Sequence, residues 1–181
     1  MLLSCPFRLI STLVFVVVCV ACGESIPTTP AQSVPEAHID PELQPFLESY
    51  VDDAARAGAP VEPDRLAELK RLEWVDEVEG AGDGEELNLG QCARGNENSI
   101  RASERFRTIK ITRPETAGIH LNRAQGQLTL KAIVYHELGH CLHNYHGHRP
   151  VAEQVIMSAA LPEKRFSEFN ELLVEHFRMF R

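Results

Sequence analysis

Residues 136–140 read His-Glu-Leu-Gly-His and place two imidazoles four positions apart, with a carboxylate beside the first. Four residues advance a helix by about 400°, so on a helix His136 and His140 share one face, one turn apart. That spacing lets two ring nitrogens reach one zinc ion. Glu137 lies about 100° further round, near enough to hold a water on the metal and take its proton. Val134, Leu138, Cys141 and Leu142 surround the pair with apolar side chains, which suits a helix buried on one side better than a solvated charged stripe. Five of the eight histidines fall between positions 136 and 148. The chemistry expected of such a set is hydrolysis of a peptide bond by a metal-activated water, with Glu137 as general base and then as proton donor to the leaving amine.

The motif needs a helix to carry it and a sheet to pack against. Leu128 to Asn144 reads as that helix. Ahead of it, Asp40-Pro41 looks like a helix start, followed by Leu43, Phe46, Leu47, Tyr50, Val51 and Ala54 at helical spacing and ended by Gly58 and Pro60. Pro63 to Leu69 reads as a short helix or the lead into a strand, and Leu72 to Val78 as a strand with Trp74 in the core. Glu79 to Glu86 is a Gly-rich acidic turn whose spacing fits no calcium loop. Arg107 to Thr112 alternates, with Ile109 and Ile111 on one face, and Ile119 to Leu121 is a further short strand candidate. Phe166, Phe169, Leu173, Phe177 and Phe180 form a core stripe on a C-terminal helix from about Pro162. This order of elements implies an α+β domain.

The front of the chain has a different character. Residues 1–21 carry one charge, Arg8, before an apolar run from Leu9 to Ala21, as an export signal does. The run is shorter than the ~20 residues of a comfortable membrane span. It ends Cys19-Val20-Ala21-Cys22-Gly23. Small residues directly before a cysteine resemble a bacterial lipobox, which implies cleavage before Cys22 and lipid on it. Cys19 stands where that pattern has leucine, so ordinary signal cleavage or an uncleaved anchor remains open. Gly23 resembles the residue after the cysteine in lipoproteins sorted to an outer membrane, if the source has one. Residues 22–39, with Pro27, Pro30 and Pro35, read as a flexible tether, leaving 40–181 as one folded domain. A balance of 18 basic against 26 acidic residues argues against nucleic acid as a partner. Of the five cysteines, Cys92 and Cys141 fall in the folded part. Export favours one disulfide between them; two separate buried thiols are the alternative.

A catalytic zinc site needs a third protein ligand. His136-Glu137-x-x-His140-x-x-His143-x-x-His146 resembles the metzincin pattern HExxHxxGxxH, and Val155-Ile156-Met157-Ser158 resembles that family's Met-turn beneath the metal. HELGHC with a downstream Ile-Met and a terminal helix looks like a group of bacterial metzincin-like lipoproteins, in which a cysteine ahead of a strand, as in Gly90-Gln91-Cys92, is similar too. The resemblance implies a small zincin domain: a twisted mixed sheet with an N-terminal helix, an active-site helix and a C-terminal helix. It also implies a zinc-dependent endopeptidase with His146 as third ligand and Met157 in the Met-turn. The chain departs from the pattern at His143, where metzincins have the glycine at which the helix breaks with φ > 0. Asn144 suits that conformation better than His143 does, and a break there shifts the third ligand to His148.

Two other readings stand beside this one. Asn170-Glu171 loosely resembles the Asn-Glu pair of thermolysin-like zincins, with Glu171 as third ligand. The chain could also be a non-catalytic, zinc-stabilised envelope lipoprotein that binds a partner, although such a site does not need Glu137. The peptidase reading expects an exported, lipid-anchored monomer in a bacterial envelope, acting on a peptide or protein and touching the membrane through lipid on Cys22.

Overall fold

The computed structural model describes residues 35–78, 88–101, 104–158 and 160–181. The export signal, Cys22, most of the tether and the acidic turn at 79–86 lie outside the described residues. The architecture is α+β. It comprises β1 (His38–Ile39), α1 (Gln44–Arg56), α2 (Pro63–Glu68), β2 (Leu69–Val75), β3 (Gly90–Arg94), β4 (Arg107–Thr112), α3 (Ala124–Leu142) and α4 (Phe169–Arg178). The sheet order is β1-β2-β4-β3. β1 and β4 run parallel to β2, while β3 is antiparallel to β4 and forms an edge.

Several boundaries move from the sequence reading. His38 and Ile39, within the stretch read as tether, pair with Arg71 and Leu72. Asp40 accepts from the Glu42 N–H at 2.9 Å, but the helix starts only at Gln44, with Pro45 in its first turn. β2 begins at Leu69 and ends at Val75. Cys92 lies inside β3 rather than ahead of a strand. Ile119 to Leu121 is not a strand: Ile119 N–H closes a turn onto Pro114 O at 2.7 Å. A 3₁₀ segment, Glu163–Glu168, precedes α4.

The core lies between the sheet and the helices. Leu72, Ile109 and Ile111 from the strands meet Leu43, Leu47 and Tyr50 of the first helical region and Ile133, Val134 and Leu138 of α3. α3 is buried on nearly every side, from Gly126 to Leu142. Its first turn is different: Ala124, Gln125 and Gln127 are exposed, with no large apolar residue there to show helical periodicity. The Cys92–Cys141 disulfide joins β3 to the last turn of α3 across a sequence separation of 49 residues. In the chain-entropy account, closing a loop of that size contributes about 4 kcal/mol.

Beneath α3 is an aromatic cluster that includes polar groups. Tyr50 meets Tyr135 edge-on at 4.9 Å between ring centroids, and Tyr135 donates to Asp53 Oδ2 at 2.7 Å. His176 lies 5.8 Å from Tyr50 and 4.9 Å from Phe180, fully buried, with neither ring nitrogen hydrogen-bonded. His143 stacks on Phe180 at 4.2 Å. Burial first, then the nearby His143, holds His176 well below the ordinary histidine range.

An unfolded chain takes up a proton on His176 near pH 6.5, whereas the folded chain does not. The unfolded state therefore binds more protons as pH falls, and stability is lost below about pH 6.5. We expect metal-free His176→Phe to lose less stability than wild type between pH 7 and pH 5, by up to about 2 kcal/mol in urea titrations. Equal losses would show that His176 is not the buried neutral group that makes the fold acid-sensitive.

Candidate metal centre

The three rings that come together are those of His136, His140 and His148. One nitrogen of each lies within 4.8 Å of the other two. His148 is 5.0 Å from both His136 and His140 between ring centroids. The histidine pair was expected from its spacing, and His148 is the alternative third member. His146, the first choice, points elsewhere: its ring nitrogens lie 3.3 and 3.0 Å from the Arg94 guanidinium.

The reason is where the helix stops. His143 keeps φ at −107°, and Asn144 takes the left-handed conformation at φ 53°. Both the His143 and Tyr145 N–H groups fold back onto Gly139 O, at 3.2 and 3.4 Å. This is a helix end of the αL kind with Asn in the usual glycine place, one residue later than the metzincin pattern puts it. Arg107 secures it, donating to the Cys141 carbonyl and, at 2.6 Å, to Asn144 Oδ1. Gly147, at φ 81°, then turns the chain so that His148 returns to the pair. Glu171 does not join them; it is exposed on α4, whose buried side is Phe169, Leu172, His176 and Phe177.

Hydrogen bonds fix the tautomers of the pair. His136 Nδ1 meets Ile156 O at 2.6 Å, and His140 Nδ1 meets Tyr145 O at 2.8 Å. A carbonyl only accepts, so each Nδ1 carries the proton and each Nε2 presents a lone pair. The two Nε2 atoms face one another at 3.0 Å. Burial holds His136 down to about 3 and lowers His140 as well, so neither ring relieves the repulsion by taking a second proton. A cation between them does relieve it. Tetrahedral zinc bonds of 2.0–2.1 Å put ligand nitrogens roughly 3.3 Å apart. The donor set therefore fits a metal of the zinc type, with backbone carbonyls as the orienting outer partners such histidines usually have.

Met157 is fully buried, with its Sδ against Gly139 of α3. Its turn is closed by Ser158 N–H to Val155 O at 2.9 Å and tied to the His148 segment by Arg149 N–H to Met157 O at 2.7 Å. A Cβ on Gly139 would sit 2.9 Å from Met157 Sδ and 3.1 Å from His176 Cε1, so this position accepts only glycine without rearrangement. The turn carries the Ile156 carbonyl that orients His136.

Glu137 is 6% exposed and packs against β3, where a Cβ on Gly90 would come within 2.6 Å of its Cγ. Burial pushes its carboxyl up to about 8, against a hydrogen bond from the Cys92 backbone. A divalent cation nearby favours the ionised form and works against that shift. Thr112 N–H bonds to Leu89 O and Gly95 N–H to Phe106 O. Odd-numbered residues of β3 therefore bond across to β4, and Gly90, Cys92 and Arg94 turn their main-chain groups to the other edge, which no strand among the described residues pairs with. Sequence reasoning missed Arg94 and Arg107. Reading 90–94 as a strand would have put Gly90, Cys92 and Arg94 on one face and drawn attention to Arg94.

No family model, curated protein or solved structure compared with the chain matches it.

The geometry distinguishes two variants. His148→Ala should lower zinc affinity by more than the ~10–100-fold that losing an outer partner costs, while His146→Ala should stay within that range. Competition with a chromogenic chelator measures both. A larger loss for His146→Ala than for His148→Ala would overturn the assignment.

Proposed function

We propose that this chain is a zinc-dependent peptidase of metzincin-like type. The observation that carries the reading is the position of Glu137. It is a buried carboxylate next in sequence to His136, held by the edge strand β3 and left out of the three-histidine group. A purely structural metal site has no use for such a group. The orphaned lone pairs of His136 and His140, with His148 as third donor and Met157 below, support the same reading.

Zinc held by His136, His140 and His148 would supply Lewis acidity for a peptide carbonyl and for water. The remaining steps belong to the chain. The open edge of β3 offers the Cys92 carbonyl and the Arg94 N–H and C=O to an extended peptide, by strand addition. Glu137 takes a proton from the attacking water on its carboxylate and passes it to the amine that leaves. The disulfide and the Gly90 contact hold β3 and α3 in register, so that the substrate strand and Glu137 stay in fixed relation. The lipid tether at Cys22 and a bacterial envelope location belong to this proposal; absence of labelled fatty acid on the protein in a lipoprotein-processing host would remove the tether and leave the site intact.

Glu137→Gln should bind zinc as wild type does and lose about 10²–10⁴ in the rate of casein cleavage, since it removes the proton carrier and keeps the ligands. Casein cleavage by wild type should stop with chelator and return with zinc. Zinc-loaded wild type that leaves casein and a panel of unfolded proteins intact would favour a partner-binding module instead.

A further inference from the structure

Arg94 projects from the edge strand on the same face as Gly90 and Cys92, which meet Glu137 and Cys141. Its guanidinium lies against His146, two residues before His148. Arg94 thus stands against the segment that carries His148, at the end of the strand along which a peptide would run.

Among the described residues its charge is incompletely matched. Arg105 and Arg107 both pair with Glu68, at 3.4 and 3.1 Å, and Arg107 and Arg94 both pair with Glu97, at 3.2 and 3.3 Å. Three guanidiniums in this chain of pairs face two carboxylates. A single oxygen, Glu97 Oε1, serves both Arg107 and Arg94. Arg107 is buried and holds its carboxylates as part of the fold, whereas the Arg94 side chain keeps 22% of its surface exposed. A guanidinium has five N–H donors in a fork suited to a carboxylate, and those of Arg94 are not used up by Glu97. His146 has a place in this arrangement: with the helix ending late, its ring lies against Arg94 and braces it.

We propose that Arg94, braced by His146, is a carboxylate-binding subsite of the centre, which selects peptides bearing a carboxylate next to the bond that is cut. The inference rests on the peptidase reading for its substrate, but not for its test. The carboxylate belongs either to an acidic side chain or to the C-terminus of the peptide.

Hydroxamates anchor to zinc and report binding without turnover. Calorimetry on the zinc-loaded full chain would compare an N-acetylglutamyl hydroxamate and a succinyl-alanine hydroxamate, each with its carboxamide counterpart. The expected result is that at least one acid binds about tenfold or more tightly than its amide. A preference in the glutamyl pair assigns the site to acidic side chains, and one in the succinyl-alanine pair assigns it to the C-terminus. Arg94→Gln should bring that ratio to about one, and His146→Ala should reduce it; unchanged amide binding and zinc content show that both variants are folded. Equal binding of acids and amides by wild type overturns the inference, as does a preference that survives in Arg94→Gln, or failure to bind any of the four. A chain that prefers the acids yet leaves casein intact keeps the subsite and loses the peptidase reading. One that cuts casein without the preference does the reverse.

Discussion

The Arg107 guanidinium at the end of α3 sets the geometry on which the rest of the site depends. It is 4% exposed, and a charge so placed is tolerated only when it is paired and its donors are used. Glu68 and Glu97 supply the charge, while the Cys141 carbonyl and Asn144 Oδ1 accept from Nη1. Those last two acceptors are a helix-terminal carbonyl and the side chain of Asn144, which ends the helix at positive φ. Satisfying Arg107 and ending the helix are therefore the same event. Everything downstream follows from it: the Tyr145 carbonyl on His140, the Gly147 turn and the return of His148.

A second constraint is close approach. Gly139 admits Met157 and His176 to the underside of α3, and Gly90 admits Glu137 to the edge strand. In both places the absence of a Cβ lets a functional group sit against backbone. The Cys92–Cys141 bridge ties the same two elements covalently. The edge strand, Glu137 and the histidine helix are thus tied together at several points, which suits the role proposed for Glu137. The cost is a set of polar groups with no partner under the helix, Tyr50 and His176 among them.

How much was legible depended on how local the signal was. The i, i+4 histidines, the alternation over Arg107–Thr112 and the aromatic stripe near the C-terminus depend on short-range periodicity, and the structure has elements at all three. The pairing of Cys92 with Cys141 followed from their being the two cysteines of the folded part. The third histidine could not be read from spacing alone. It turns on whether His143 or Asn144 takes positive φ, and Arg107, 37 residues away from Asn144, participates in that choice. β1 is two residues long and exists only through its pairing with β2. β3 contains glycine and arginine at its ends and lacks the apolar alternation of a strand. The first turn of α3, Ala124 to Gln127, lies ahead of the apolar residues that mark the helix and is largely exposed, so the sequence pattern starts only at Leu128.

The claim from which the others descend is that three imidazoles, those of His136, His140 and His148, bind one metal ion. Zinc-edge X-ray absorption on the zinc-loaded chain tests it most directly. The account predicts three imidazole nitrogens and one further light atom, all at roughly 2.0–2.1 Å, with His148→Ala dropping the imidazole count to two. A sulfur scatterer at about 2.3 Å, or a three-imidazole pattern that persists in His148→Ala, would contradict it.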